Sequence, residues 1–403
     1  MLKIRSGDRQ AQALVSELTA VLNQAGAFFH PALQLEIRGA EFNFSNRKKL
    51  KADEELITLP LSCMPILDDF AWSLDTEKKL CWKPVDSPLA KGYKLHKQIV
   101  GLLVELYNHF DKLANDAGNS PVVQFANHRP LVERLLILAH EQPFQAKLNE
   151  GIDQLVIHAF WHGRIFSDYL TGQLHLIPVM EFFDHNIYVD NFFWDNLQDG
   201  QRALHKTYQP AGDTKALFAR YEIMDNLHAF VKYGFVDEKN FFVQSQPFSL
   251  QLDEGVFLEV GYQSASSNQQ HITDWEPPPS FSNSLMYRSR LQFHSDRVFM
   301  PYLLIPPVHH LPAFDEALAA QLLEIEQHTG RAQGALVNAD VVHEVKMAAL
   351  KANEAAYASL AQIAKESQLD NTALATRLLV KMLRHQRQIL NEFKKSLGSH
   401  RPA

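Results

Sequence analysis

The spacing of apolar residues predicts a helix at the start of the chain and short strands after it. Residues 8–26 have helical periodicity, with one apolar face made by Ala13, Leu14, Leu18, Val21 and Leu22. Between residues 33 and 60 apolar and polar positions alternate, which is typical of strands joined by turns. The chain therefore begins with both kinds of element.

The middle of the chain returns to a helical period and then to strands. An apolar stripe from Tyr93 to Leu113 predicts a long helix that ends near Gly118, and further helices are expected at 131–140 and 152–169. Strand-like segments follow at 174–179, 241–252 and 256–262. This order predicts an α+β fold with small β-sheets and a helical insertion at about 90–165.

The composition changes after Ala313 towards Ala, Leu, Glu, Gln and Lys, which are good helix formers. Three helices are predicted, at 314–328, 339–367 and 371–397. We therefore expect three parts: a domain at 1–262, an irregular proline-rich connection at 263–313 and an all-helical C-terminal domain at 314–403.

Charge and cysteine content narrow the class of protein. The 39 basic and 46 acidic residues give a net charge of −7, which disfavours a nucleic-acid or anionic-membrane partner. Residues 341–403 carry ten basic and five acidic side chains, which leaves 29 basic and 41 acidic ones in the rest of the chain. Two cysteines and no apolar run of membrane-spanning length predict a soluble, cytoplasmic protein.

The common nucleotide-binding, hydrolase and zinc-protease motifs are absent from the sequence. One metal hypothesis remains, because His158 and His162 lie four residues apart, as do Glu181 and His185. On helices this spacing puts two ligands on one face, and such a set suits iron or zinc. A metal-dependent helical enzyme is therefore one alternative.

Four segments, read in order, carry a resemblance to a known family. They are Glu54-Glu55-Leu56 before a proline, Gly163–Phe166 (GRIF), Leu176–His185 (LIPVMEFFDH), and Tyr221–Val236 ending in YGFV. This order and spacing resembles the SET-domain lysine methyltransferases of the Rubisco large-subunit methyltransferase type. The resemblance covers about residues 35–236, and it implies SET-like small sheets followed by a helical C-terminal domain that presents the substrate.

The resemblance also implies a function and a set of site residues. It implies S-adenosylmethionine as cofactor and a lysine or other amine of a protein, favoured to be acidic by the basic C-terminal domain, as acceptor. Arg164 matches the arginine that binds the cofactor's carboxylate, and His185 matches the histidine whose backbone meets the adenine. Tyr221 matches the tyrosine beside the transferred methyl group, and Asn226 matches the asparagine that braces the crossing of the chain. Arg164, Asp184, His185 and Tyr221 are expected in one cleft.

Two departures from the family pattern favour an alternative. The family's GxG falls on Glu41-Phe42-Asn43, where side chains would crowd a cofactor that needs a close approach to the backbone. Asp184 replaces an asparagine, so an amide donor is lost and a negative charge is added. A SET-like pseudoenzyme that acts as a binding or scaffold module is therefore the second hypothesis.

Overall fold

The computed structural model describes residues 2–86, 93–168, 170–210, 215–221, 224–262, 271–272, 287–332 and 334–398. Among these residues no helix combines the length and the apolar character that a membrane crossing requires. The cytoplasmic location stays a prediction.

Short strands alternate with helices along most of the chain. The strands are β1 Lys3–Ser6, β2 Phe28–Phe29, β3 Leu33–Arg38, β4 Glu41–Asn46, β5 Glu55–Pro60, β6 Phe70–Leu74, β7 Leu80–Pro84, β8 Ile165–Ser167, β9 Leu174–Leu176, β10 Asp184–His185, β11 Phe193–Asn196, β12 Arg202–Thr207, β13 Phe218–Ala219, β14 Val243–Gln244, β15 Phe248–Asp253, β16 Val256–Val260, β17 His271–Ile272, β18 Gln292–His294, β19 Arg297–Met300 and β20 Leu304–Ile305. The α-helices are α1 Arg9–Gln24, α2 Tyr93–His109, α3 Lys112–Asn119, α4 Pro121–Gln124, α5 Arg129–Leu138, α6 Gln142–Leu148, α7 Ile152–His162, α8 Asn226–Tyr233, α9 Leu311–Thr329, α10 Ala339–Glu366 and α11 Leu374–Gly398.

The strands of the described residues form several small sheets. The larger ones have the strand orders β1-β3-β4, β11-β12-β5-β2 and β15-β16-β19-β18-β17, and the pairs β6-β7, β8-β9, β10-β13 and β14-β20 form two-stranded sheets. Six helices, α2 to α7, lie between β7 and β8 in sequence. The predicted α+β class, with small sheets, a helical insertion and a helical C-terminal region, is confirmed.

The chain divides into two compact units. The first comprises residues 1–126 and 142–223, and the second comprises 127–141 and 224–403. The first unit packs α1, α2 and the sheets around one apolar core, in which Leu22, Leu35, Phe44 and Leu103 are almost fully buried. Burial of such side chains is the main source of stability for the unit.

The second unit joins α5 to the C-terminal helices. Helix α10 packs against α5, α11 and strand β15, and α11 also packs against α8. This division differs from the expected domain limits at 262 and 314, which stay predictions. Within the predicted irregular connection, the described residues 292–305 form β18 to β20, and β19 pairs in parallel with β16.

Two predicted helices are shorter than their apolar pattern indicated. The helix expected at 152–169 ends at His162, because Gly163 follows as its C-cap and Ile165–Ser167 pairs with Leu174–Leu176 instead. The helix expected to run from Tyr93 to near Gly118 ends at His109, because Asp111 adopts a left-handed conformation with φ of 50° before α3 begins. Periodicity alone does not register such breaks.

Candidate functional site

Strand pairing brings two predicted site segments together in the first unit. After β8 and β9 the chain makes a short 3-10 helix, Met180–Phe182, and then enters β10, Asp184–His185. Strand β10 pairs in parallel with β13, with Asp184 opposite Phe218 and His185 opposite Ala219. Tyr221 follows β13 after one residue, Arg220, so it lies beside His185 although 36 residues separate the two in sequence.

Tyr221 is held by both its backbone and its side chain. Its hydroxyl donates a hydrogen bond of 2.8 Å to the Phe183 carbonyl, and its backbone N–H donates one of 3.2 Å to Nδ1 of His185. The two rings lie 5.1 Å apart between centroids. Burial raises the pKa of the Tyr221 hydroxyl, and the charge of Asp184 raises it further, so the group is a neutral donor at pH 7.

Arg164 is buried in a network of charged and aromatic side chains. Its guanidinium forms an ion pair with Asp116 of α3, and its Nε lies 3.2 Å from Oε2 of Glu181. It also donates a hydrogen bond of 2.6 Å to the Phe160 carbonyl and lies 3.9 Å from the centroid of the Phe160 ring. The predicted carboxylate-binding arginine therefore already has two carboxylate partners within the chain.

Glu181 completes this network. It accepts a hydrogen bond from the Tyr107 hydroxyl of α2, and its side chain is almost fully buried. Burial raises the pKa of Glu181 to about 7, although Arg164 and Tyr107 oppose the rise. Glu181 is therefore the group of the site whose charge changes near neutral pH.

The two departures from the family pattern lie near each other. Glu41 begins β4, and its charge is close enough to raise the pKa of Asp184, although burial of Asp184 is the larger cause. Lys112 acts in the opposite direction. The site thus has four acidic residues, Glu41, Asp116, Glu181 and Asp184, with Arg164 and Lys112 as the basic ones.

The structure brings some of the predicted site residues into contact within the first unit. Asp184 and His185 are adjacent in β10, Tyr221 contacts His185, and the charge of Arg164 acts on the Tyr221 hydroxyl. Asn226 belongs to the second unit and begins α8. Its amide donates to the Asp237 carbonyl and accepts from the Asp237 N–H, which fixes the turn after the helix.

The metal hypothesis is wrong for the residues that it named. The rings of His158 and His162 lie 5.7 Å apart and both pack against Phe144, with centroids 4.5 and 4.9 Å from its ring, while Glu181 pairs with Arg164. Within the part of the chain that the structure describes, no three His, Cys, Asp or Glu side chains gather in a metal-binding arrangement. Four-residue spacing put the histidines on one face, but the carboxylate points elsewhere.

Asp116 and Tyr107 are site residues that the sequence did not indicate. Asp116 lies 48 residues from its partner Arg164, and Tyr107 lies 74 residues from Glu181. Both contacts depend on how α2 and α3 pack against α7 and the segment after β9. No motif or local spacing marks such residues in advance.

Comparison with solved structures finds similarity to several structures of LSMT. The chain is similar to the SET domain of LSMT bound to lysine and AdoHcy, with 12% identity, a TM-score of 0.40, and coverage of 95% of this chain and 91% of that one. It is also similar to Rubisco LSMT bound to AdoMet, with 11% identity, a TM-score of 0.38, and coverage of 96% and 92%. No protein-family model and no curated protein sequence matches the chain. Because these identities and TM-scores are low, the proposed function rests on the motifs and the site geometry and not on these similarities.

Proposed function

We propose that the protein transfers a methyl group from S-adenosylmethionine to a lysine or another amine of a protein substrate. The observation that carries the proposal is the contact between Tyr221 and the Phe183–His185 segment, within electrostatic reach of Arg164. Two segments of the motif that lie far apart in sequence meet there, which supports the proposal. The proposal assigns Tyr221 to the reacting amine and methyl group, and Asp184, His185 and Arg164 to the cofactor.

The side chains fit the cationic part of the cofactor better than its carboxylate. Asp184 and Glu41 supply negative charge for an ammonium and a sulfonium group. Arg164 would reach the cofactor's carboxylate with a planar fork of donors, but only where Asp116 gives up its place on the guanidinium. The cofactor supplies the activated methyl group, and the protein supplies the positioning.

The acceptor must be a neutral amine to attack. A free lysine has a pKa of about 10.4, so deprotonation at pH 7 costs roughly 4.6 kcal/mol unless the site reduces it. Burial disfavours the ammonium form, and a nearby sulfonium disfavours it further. Tyr221, which keeps its proton at pH 7, is suited to orient the amine rather than to deprotonate it.

A direct test combines calorimetry with a transfer assay. Titration with S-adenosylmethionine should show saturable binding at one site. Tyr221→Phe should bind the cofactor with unchanged affinity and reduce transfer to protein amines at least tenfold, about the loss of one positioning hydrogen bond. Tyr188→Phe is the matched control, because Tyr188 is an exposed tyrosine of the same unit. Absence of binding by the wild type would contradict the proposal.

The network around Arg164 favours a second candidate, a SET-like pseudoenzyme that acts as a binding or scaffold module. Asp116 and Glu181 already neutralise Arg164, and Glu41 and Asp184 repel each other where the family has uncharged residues. The calorimetric titration separates the two candidates. A folded wild type that binds no S-adenosylmethionine at millimolar concentration would favour the pseudoenzyme.

We further propose that helix α11 presents the protein substrate. A concave surface of about 610 Å³ in the second unit is lined by residues of this helix, all of them exposed or half-exposed except the buried Leu383: Val380, Leu383, Arg384, Arg387, Gln388, Asn391, Glu392 and Lys395. Three of these side chains are basic and one is acidic. An acidic partner is favoured at such a surface because opposite charges accelerate and orient the encounter.

A further inference from the structure

The outer face of the β1-β3-β4 sheet carries a basic surface that the proposed methyl transfer does not use. The inner side chains of these strands, among them Leu33, Leu35 and Phe44, belong to the core of the first unit. Side chains at alternate positions point the other way. They form a polar face, and together with flanking residues they line a cavity of about 540 Å³: Arg5, Gln34, Glu36, Arg38, Asn43, Phe44, Ser45, Asn46, Arg47, Lys215 and Ala216.

The register of the strands fixes how these side chains are arranged. One row across the sheet is Arg5, Glu36 and Asn43, and a neighbouring row is Gln34 and Ser45 with Ala216 beyond. Arg38 lies at the hairpin end, while Arg47 and Lys215 lie at the opposite end. The cations therefore border the face, while Glu36 and neutral hydrogen-bonding groups occupy its middle.

The basic side chains of the cavity keep most of their surface available to a partner. The side chains of Arg5 and Arg38 are 75% and 77% exposed, and both pair with the single acidic lining residue, Glu36. Arg47 donates one hydrogen bond to the Pro31 carbonyl. Four of the residues that line the cavity are basic and one is acidic. Even with Glu41, which lies opposite Arg38 in the strand register, the local charge stays positive on a chain whose net charge is −7.

We propose that this surface, the outer face of the β1-β3-β4 sheet, binds an acidic polypeptide segment in an extended conformation. Arg5 and Arg38 share the Glu36 carboxylate, but Arg47 and Lys215 lie at the other end of the strands. Residues 34 to 38 alone span about 13 Å, so one phosphate or carboxylate cannot contact all four cations. Alternate side chains of an extended peptide recur every 6 to 7 Å, roughly, which matches this spread. Arginine forks suit the carboxylates, and Gln34, Asn43 and Ser45 suit the peptide groups between them.

A polypeptide fits this face better than a nucleic acid. Single-stranded nucleic acids are bound by stacking bases on exposed aromatic rings. The aromatic residue that lines the cavity, Phe44, is 1% exposed and its ring packs against Phe183. The acidic net charge of the chain also opposes a polynucleotide, whose affinity depends on neutralising many phosphates.

The test measures binding of fluorescent decapeptides by anisotropy at low salt. An alternating Glu-Ser peptide should bind, and a Gln-Ser peptide should not. The triple variant Arg5→Gln, Arg38→Gln, Lys215→Gln should weaken binding at least tenfold. Lys83→Gln, Lys94→Gln, Lys97→Gln is the matched control, with the same charge change at exposed positions of the same unit, and it should bind as the wild type does.

Further outcomes decide between ligand classes. Glu36→Gln should bind the acidic peptide several-fold more tightly, because the competing carboxylate is removed, whereas Glu77→Gln, at an exposed position elsewhere in the unit, should have no effect.

Tighter binding of a ten-nucleotide single-stranded DNA than of the acidic peptide would overturn the assignment to a polypeptide. Displacement of the peptide by inorganic phosphate beyond the effect of ionic strength would show a single-anion site and overturn the extended mode. Equal binding by the triple variant and its control would exclude this face. Circular dichroism of each variant checks its fold.

Discussion

At the residue scale, Arg164 is the side chain whose surroundings bear most directly on cofactor binding. Its guanidinium is shared between Asp116 and Glu181, and Lys112 lies 3.2 Å from Asp116. A ligand carboxylate must therefore compete with Asp116 for the same donors. These two carboxylates offset the free-energy cost of burying the charged Arg164, so removal of either one should change the stability of the folded chain.

We expect Asp116→Asn to bind S-adenosylmethionine about tenfold more tightly than the wild type, because the amide releases the charged donors of Arg164. Calorimetric titration measures the change in affinity. Asp153→Asn is the control, since Asp153 forms an exposed ion pair with Lys78 in the same unit. Unchanged or weaker affinity in a folded Asp116→Asn variant would show that Arg164 does not bind the cofactor.

The raised pKa of Glu181 makes the free energy of unfolding depend on pH. Its pKa is about 7 in the folded chain and near 4.5 when exposed, so the folded state binds the extra proton between these values. Stability from this group is therefore greatest below pH 4.5, falls as the pH rises to 7, and is constant above it.

Glu181→Gln should remove this contribution. Relative to the wild type, the variant should gain about 1–3 kcal/mol of unfolding free energy between pH 5 and pH 7.5. Urea unfolding followed by circular dichroism at both pH values measures the difference. A difference between wild type and variant that is independent of pH would mean that Glu181 is ionised throughout, held by Arg164.

At the scale of elements, Asp225 fixes the start of α8 in the second unit. Its buried carboxylate accepts hydrogen bonds from the backbone N–H groups of Leu227, His228 and Gln244. It also accepts from the His228 ring and the Tyr357 hydroxyl. Burial opposes its ionisation, yet His228 and the backbone donors lower the pKa of Asp225 below its ordinary value.

Asp225→Ala should destabilise the chain by about 2–4 kcal/mol, because several buried donors lose their partner together. Asn338→Ala, which removes the single side-chain hydrogen bond that caps α10, should cost about 1 kcal/mol. Urea midpoints of the two variants allow the comparison. Equal losses would show that Asp225 acts only as a helix cap.

At the scale of the whole molecule, the excess of basic residues in the C-terminal helices bears on the proposed binding of a protein partner. Of the basic residues on α11, Lys381 pairs with Glu238 and Lys394 pairs with Glu354. Arg384, Arg387 and Lys395 instead line the concave surface of that helix. These three residues are the ones that we expect to contact the proposed acidic substrate.

The variant Arg384→Gln, Arg387→Gln, Lys395→Gln should reduce labelled-methyl incorporation into the proteins of a cell extract about three- to tenfold. Its affinity for S-adenosylmethionine should stay unchanged. The difference should shrink towards 0.5 M salt, since screening weakens steering. Lys351→Gln, Lys381→Gln, Lys394→Gln carries the same charge change and should have little effect. Equal incorporation by the two variants would show that the basic residues of α11 do not contribute to substrate binding.

The sequence by itself determined the helices of the C-terminal region and the α+β class. The predicted helices at 314–328, 339–367 and 371–397 correspond to Leu311–Thr329, Ala339–Glu366 and Leu374–Gly398. Local periodicity is sufficient there because each helix buries one apolar stripe, whatever its partner. The resemblance to the family pattern also implied Asp184, His185 and Tyr221 as site residues, and strand pairing brings them together.

Only the tertiary structure decided what surrounds these residues. Arg164 contacts Asp116, 48 residues away, and Glu181 contacts Tyr107, 74 residues away. The local sequence pattern does not indicate either contact. The proximity of Glu41 to Asp184 likewise depends on tertiary packing, because their strands do not pair with each other. The basic outer face of the β1-β3-β4 sheet depends on the pairing of β1 with β3 and of β3 with β4. The reason is physical: periodicity reports which side of an element is apolar, whereas packing determines which charged groups meet and how far each pKa shifts.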